Sequence, residues 1–161
     1  MLTAIDTKKV TGRRELHFSS LQDIAADVDH LAGNKEIRPL GNWSAGQILK
    51  HLAITMNNSI DGAPPVLPGI VRIVLRVFMK RRILTRPMDP GFRLPVKASF
   101  MVPPPTSFEE GLQSFRQAMQ RLQTETKRAP NVVVGPLTVE EWNQLHCRHS
   151  ELHLSFLVPV A

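Results

Sequence analysis

The chain has 161 residues, 42% of them apolar, with a formal charge of +6 and a pI near 10.1. That length suits a single domain, residues 1–161, with a core that needs no covalent staples, and the apolar fraction excludes wholesale disorder. The single cysteine, Cys147, excludes an internal disulfide and a cysteine-based zinc finger; the basic residues also lack the interleaved aromatics of a nucleic-acid surface, so no nucleic-acid partner is expected.

The opening residues lack the apolar run and small-residue cleavage site of a secretory signal. The longest apolar stretch, Ile70 to Met79, is broken by Arg72 and Arg76 and is too short to span a bilayer. A soluble, cytoplasmic protein is therefore the expectation, and a lone thiol suits that compartment.

Caps and periodicity predict four main helices. The first opens at Ser20, with Asp23 as a capping partner, turns Ile24, Val28 and Leu31 inward and stops at Gly33-Asn34. The second opens at the capping box Ser44-Ala-Gly-Gln47, carries Ile48, His51, Leu52 and Thr55, and ends before Gly62-Ala-Pro-Pro. A long crossover follows, from Gly62 to Thr106. Its first part, Pro68 to Arg82, reads as a further helix, and the prolines at 87, 90, 95 and 103–105 predict an extended remainder. The third main helix begins near Ser107 with an apolar stripe of Phe108, Leu112, Phe115, Met119 and Leu122. The fourth opens at the box Thr138-Val-Glu-Glu141, presents Trp142, Leu145, His149, Leu152 and Phe156 on one side, and breaks at Pro159. The fold class is all-α, a four-helix bundle with a long crossover between helices two and three.

Three of the six histidines, His146, His149 and His153, fall within eight positions of the last helix. His146 and His153 lie about 10.5 Å apart along the axis, too far to share one ion at bonds of about 2.0–2.1 Å. Residues four apart lie one turn above each other, which favours His149 with His153 over His146 with His149. A third ligand must come from another helix, and His51 sits mid-helix on the inward side. Against this stand the plainer readings: a hydrogen-bonded core histidine, or a solvated His-x-x-x-His face. Glu151, Gln47 and Asn143 are candidates to orient the imidazoles. His17 and His30 are left out, His30 as a favourable charge near a helix end. Cys147 lies away from the ligand face and is expected to be a packed, inert thiol. Arg72, Arg76 and Lys80 form a stripe that could grip an anionic thiol cofactor, lie on a membrane, or simply be solvated.

The capped segment Asn42-Trp43-Ser44 with Gln47 and His51, followed by a last helix bearing His149-x-x-x-His153, resembles the DinB/YfiT-like superfamily. It is most similar to an uncharacterised branch in which Gly135-Pro-Leu-Thr138 and Glu141-Trp142 precede the final histidine helix. The resemblance runs from about Arg14 to Phe156 and is weakest in the crossover. It implies an up-up-down-down bundle and a three-histidine divalent metal site at His51, His149 and His153. It further implies zinc or nickel as the ion, a homodimer, and thiol-dependent transferase or isomerase chemistry with bacillithiol, mycothiol or glutathione. Leu152 and Ser155-Phe156 depart from the family's polar residues around the last ligand. Two readings stay open: a metal-dependent thiol transferase or hydrolase acting on a small molecule, or a non-catalytic metal-binding or scaffold module. No catalytic side chain is assigned.

Overall fold

Five α-helices follow one another along the chain: α1 (Leu21–Ala32), α2 (Ala45–Asp61), α3 (Gly69–Thr85), α4 (Phe108–Thr124) and α5 (Val139–Leu154). The computed structural model describes residues 4–91 and 96–160, and within them the protein is all-α apart from one pair of short strands.

The helix starts follow from side-chain chemistry. Ser20 with Asp23, Ser44 with Gln47 and Thr138 with Glu141 close reciprocal capping boxes, and Ser107 Oγ accepts from the Glu110 amide at 3.2 Å. Each cap satisfies amide groups that have no partner within the helix and is worth about 1 kcal/mol. Gly62 ends α2 at a φ of +89°, a conformation that a side chain would strain.

One face of α1 (Ile24, Val28, Leu31), one of α2 (Leu49, Leu52, Met56), one of α4 (Phe115, Met119, Leu122) and parts of α5 (Cys147, Leu154) bury into a common core. The closest approach is between α2 and α4, where two glycines meet. A Cβ on Gly111 would sit 2.4 Å from the Gly46 carbonyl oxygen, and one on Gly46 would sit 2.2 Å from that of Ser107. A smaller cluster, Val66, Ala98 and Val132, fills the space under the crossover.

Two expectations are corrected. The last helix ends at Leu154, so Phe156 lies beyond it. Leu157–Pro159 forms a strand, β2, that pairs antiparallel with β1 (Ile37–Pro39), Arg38 facing Val158. Three-residue strands are too short to show a period-2 pattern, which is why they escaped the sequence reading. The crossover is not extended throughout, because Val96–Met101 coils into a 3-10 helix. Pro95 lies outside the described residues.

Helix α3 forms as expected. Its stripe of Arg72, Arg76 and Lys80 is divided: Arg72 and Lys80 reach the body of the protein, while Arg76 is exposed. Arg72 Nη2 donates to the Asn131 carbonyl at 2.9 Å, and Lys80 Nζ pairs with Glu141 Oε1 at 2.6 Å. Only Leu84 of this helix is buried.

The N-terminal segment is tied down by ion pairs. Arg14 meets Asp27 through two bonds of 2.7 Å. Arg148 and Glu151, both buried on α5, pair at 2.7 Å and clamp the Phe18 backbone, its amide donating to Glu151 and its carbonyl accepting from Arg148.

Candidate metal centre

His51 on α2 and His149 and His153 on α5 converge. Their ligand atoms all lie within 4.8 Å of one another, and among the described residues they are the grouping of three such side chains that could share an ion. His51 Nε2 stands 3.2 Å from His149 Nε2. Two nitrogens on one tetrahedral zinc, each about 2.0–2.1 Å from it, are about 3.3 Å apart, so the spacing fits. The ring centroids of His51 and His153 are 4.5 Å apart, and those of His149 and His153 are 4.6 Å apart.

The tautomer of His51 is set by its surroundings. Its Nδ1 lies 2.7 Å from the Met101 carbonyl oxygen, which can only accept, so Nδ1 carries the proton and Nε2 presents a lone pair to the cluster. This is the orienting partner that ligand histidines usually have. The crossover delivers it: Gln47 Nε2 donates to the Pro103 carbonyl, and Ser44 Oγ reaches the Thr106 carbonyl, fixing the chain after Met101 along the start of α2.

Electrostatics keep the set neutral. Burial lowers the pKa of His51, only partly opposed by the Met101 bond. It lowers His149 and His153 well below the ordinary value, assisted at His149 by the neighbouring imidazoles and at His153 by His51 and Arg13. Both residues are only partly buried overall, yet the packing around their rings penalises a positive charge on them. Unprotonated imidazoles are the form that binds metal.

Trp43, just before the α2 cap, walls the cluster. Its ring lies 4.9 Å from that of His51 and stacks on His153 at 5.6 Å with planes 15° apart. Arg13 reaches the far end of α5, donating from Nε and Nη2 to Ser155 Oγ and lying 4.5 Å over the Phe156 ring. Ser155-Phe156, read as a loss of polarity beside the last ligand, thus holds a guanidinium there.

None of the candidate orienting residues touches a ligand ring through a hydrogen bond. Glu151 serves the Arg148–Phe18 clamp, Gln47 serves the α2 cap and Pro103, and the Asn143 carbonyl oxygen is buried without a partner. Sequence reasoning missed Met101 because a backbone carbonyl has no side-chain signature. Trp43 was visible only as part of a capping context. Cys147 is buried, its thiol pushed up to about 11 by desolvation, as an inert packed thiol should be.

His146 is separate from the cluster. It is buried against Trp142 at 5.4 Å and Ser59 Oγ at 3.1 Å, and desolvation lowers its pKa to about 3. The folded protein keeps it neutral while the unfolded chain protonates it below its ordinary 6.5. Its contribution is therefore complete above that pH and lost as pH falls towards 3, at roughly a kcal/mol per pH unit. Urea midpoints measured from pH 7 down to pH 4 should fall more steeply than in His146→Gln by about one proton's worth of slope. Equal slopes would mean that the ring is already charged in the fold.

No curated protein matches the chain, and no solved structure does. Residues 10–160 match the model of a family described as "Protein of unknown function (DUF1569)". That span runs from the N-terminal segment that carries Arg13 through both ligand-bearing helices to the end of β2. The chain is a member of the DUF1569 family.

Proposed function

We propose that the protein is a metal-dependent enzyme of the DinB/YfiT-like type, a four-helix bundle in which His51, His149 and His153 hold a divalent ion, zinc or nickel. The observation that carries this reading is the 3.2 Å approach of His51 Nε2 to His149 Nε2, with His51 Nδ1 committed to the Met101 carbonyl. A site of three neutral nitrogens with no carboxylate or thiolate leaves the ion its full charge and an open position, where it would act as a Lewis acid and lower the pKa of a bound water or thiol. The chain's own residues do the rest. The Met101 carbonyl holds the His51 ring in its lone-pair-inward tautomer, burial keeps all three rings unprotonated, and Trp43 packs against two of them. The reactions that suit such a site are thiol transfer, with a low-molecular-weight thiol as co-substrate, and hydrolysis of a small molecule.

A second reading, a non-catalytic metal-binding module, is favoured by one observation: Trp43 packs against two of the three rings and narrows the approach. Zinc- and nickel-loaded protein should be assayed with glutathione and a chromogenic aryl chloride, and separately with p-nitrophenyl esters. Turnover that requires metal and disappears in His149→Ala supports the enzyme. Tight metal binding without turnover in either assay, in the wild type and in Trp43→Ala, assigns the module instead.

A further inference from the structure

Helix α3 is built inside out. Ile70, Ile73, Val74, Val77 and Phe78 recur at the spacing of one helical face, the pattern that normally marks the buried side. Here that face meets solvent: the five residues are 70%, 59%, 48%, 68% and 76% exposed. Arg72, on the opposite side, and Lys80, at one edge of the stripe, anchor the helix to the body. A continuous apolar stripe of this kind, unlike scattered surface leucines, marks an interaction surface.

Charge identifies the partner. Gly69–Thr85 contains Arg72, Arg76, Lys80, Arg81 and Arg82 and no acidic residue, and Arg86 follows directly. At 100° per residue Arg76 lies on the arc between the anchored Arg72 and Lys80, whereas the exposed Arg82 flanks the stripe and the exposed Arg81 continues it at its C-terminal end. An exposed apolar face on a helix that carries cations and no acid matches a surface that is apolar in depth and anionic at its rim. A second copy would bring the same positive charge. Five side chains of one helix also offer only on the order of 500 Å² per copy, short of the ~800 Å² of a standard interface. No helix among the described residues is long and apolar enough to cross a membrane, so the helix would lie flat.

We propose that α3 is a peripheral membrane-binding helix, which sets Ile70, Ile73, Val77 and Phe78 into the headgroup–acyl boundary of a bilayer while Arg81, Arg82 and Arg86 meet anionic lipid phosphates. Apolar insertion and electrostatic attraction reinforce each other in such helices, and neither alone anchors firmly.

The test is co-sedimentation of the full chain with vesicles of phosphatidylcholine alone and of phosphatidylcholine mixed with phosphatidylserine. Binding is expected to the mixed vesicles, weakening as salt rises. Phe78→Asp should weaken it about tenfold or more, and Arg81→Glu with Arg82→Glu should remove the preference for the anionic mixture. All three positions are exposed, so helicity by circular dichroism should be unchanged. Absence of binding to the mixed vesicles, or binding indifferent to Phe78→Asp, overturns the proposal. So does a wild-type dimer in sedimentation equilibrium that Phe78→Asp converts to monomer, which would assign the face to a second copy.

Discussion

Untagged wild-type protein is expected to carry about one zinc or nickel ion per chain, and His51→Ala and His149→Ala are each expected to carry none. Removing one of three neutral nitrogens leaves two, and two imidazoles do not hold a divalent ion against solvent and buffer. The two variants test different things. His149→Ala removes one of the pair on α5, whereas His51→Ala removes the only ligand on α2 and leaves the Met101 carbonyl without the ring that donates to it. His30→Ala, on the exposed end of α1, should keep the full complement and serves as the control. Elemental analysis after dialysis decides the matter. A wild type that takes up neither metal when offered in excess would remove the basis of the proposed function while leaving the α3 proposal untouched, because that rests on another face of the molecule.

Gly111→Ala should be among the most destabilising single-methyl changes in the protein. In an exposed helix the same substitution would stabilise, since glycine costs about 1 kcal/mol relative to alanine. Here the added carbon would sit 2.4 Å from the Gly46 carbonyl oxygen and 2.8 Å from the Gly46 Cα. Both neighbours are backbone and cannot rotate away, so α2 and α4 must separate along their closest contact. Overpacking typically costs ~1–3 kcal/mol, and with no side chain able to yield the cost should be about 3 kcal/mol or more. A loss of that size lowers the melting temperature of a chain this long by roughly 10 °C. Gly46→Ala should behave alike, because its methyl would meet the Thr106 and Ser107 carbonyls. An unchanged or raised midpoint in either variant would show that the helices cross with more room than this. Because α2 carries His51, the same change should also loosen metal retention.

The sequence made some layers of this structure legible and hid others, for physical reasons. Helix starts were readable because Ser20, Ser44, Ser107 and Thr138 act locally, on amides two or three residues away. The convergence of His51, His149 and His153 was readable because helical spacing places two of them and an inward apolar face places the third. The face of α3 was not readable. Periodicity reports that apolar residues share a side, but not whether that side is covered, and the decision lay with Asn131 and Glu141, about 60 residues away along the chain. The two glycines at the α2–α4 crossing were equally silent, since only their mutual approach gives them a role. The polar environment of His153 was misread for a similar reason, because Ser155 and Phe156 position an arginine that belongs to the N-terminal segment.

His51 and His149 stand 98 positions apart in the chain, yet their ring nitrogens meet. Any ion gripped by both would act as a removable cross-link over that interval. In the unfolded chain the closure of so long a loop carries an entropic penalty of several kcal/mol, so the grip exists only in the folded state and its binding energy adds directly to folding. The fraction of protein standing folded would then follow the free metal concentration around it, rising as supply exceeds the dissociation constant and falling under chelation. The abundance of the protein in a cell would thereby report on its metal supply before any chemistry is performed.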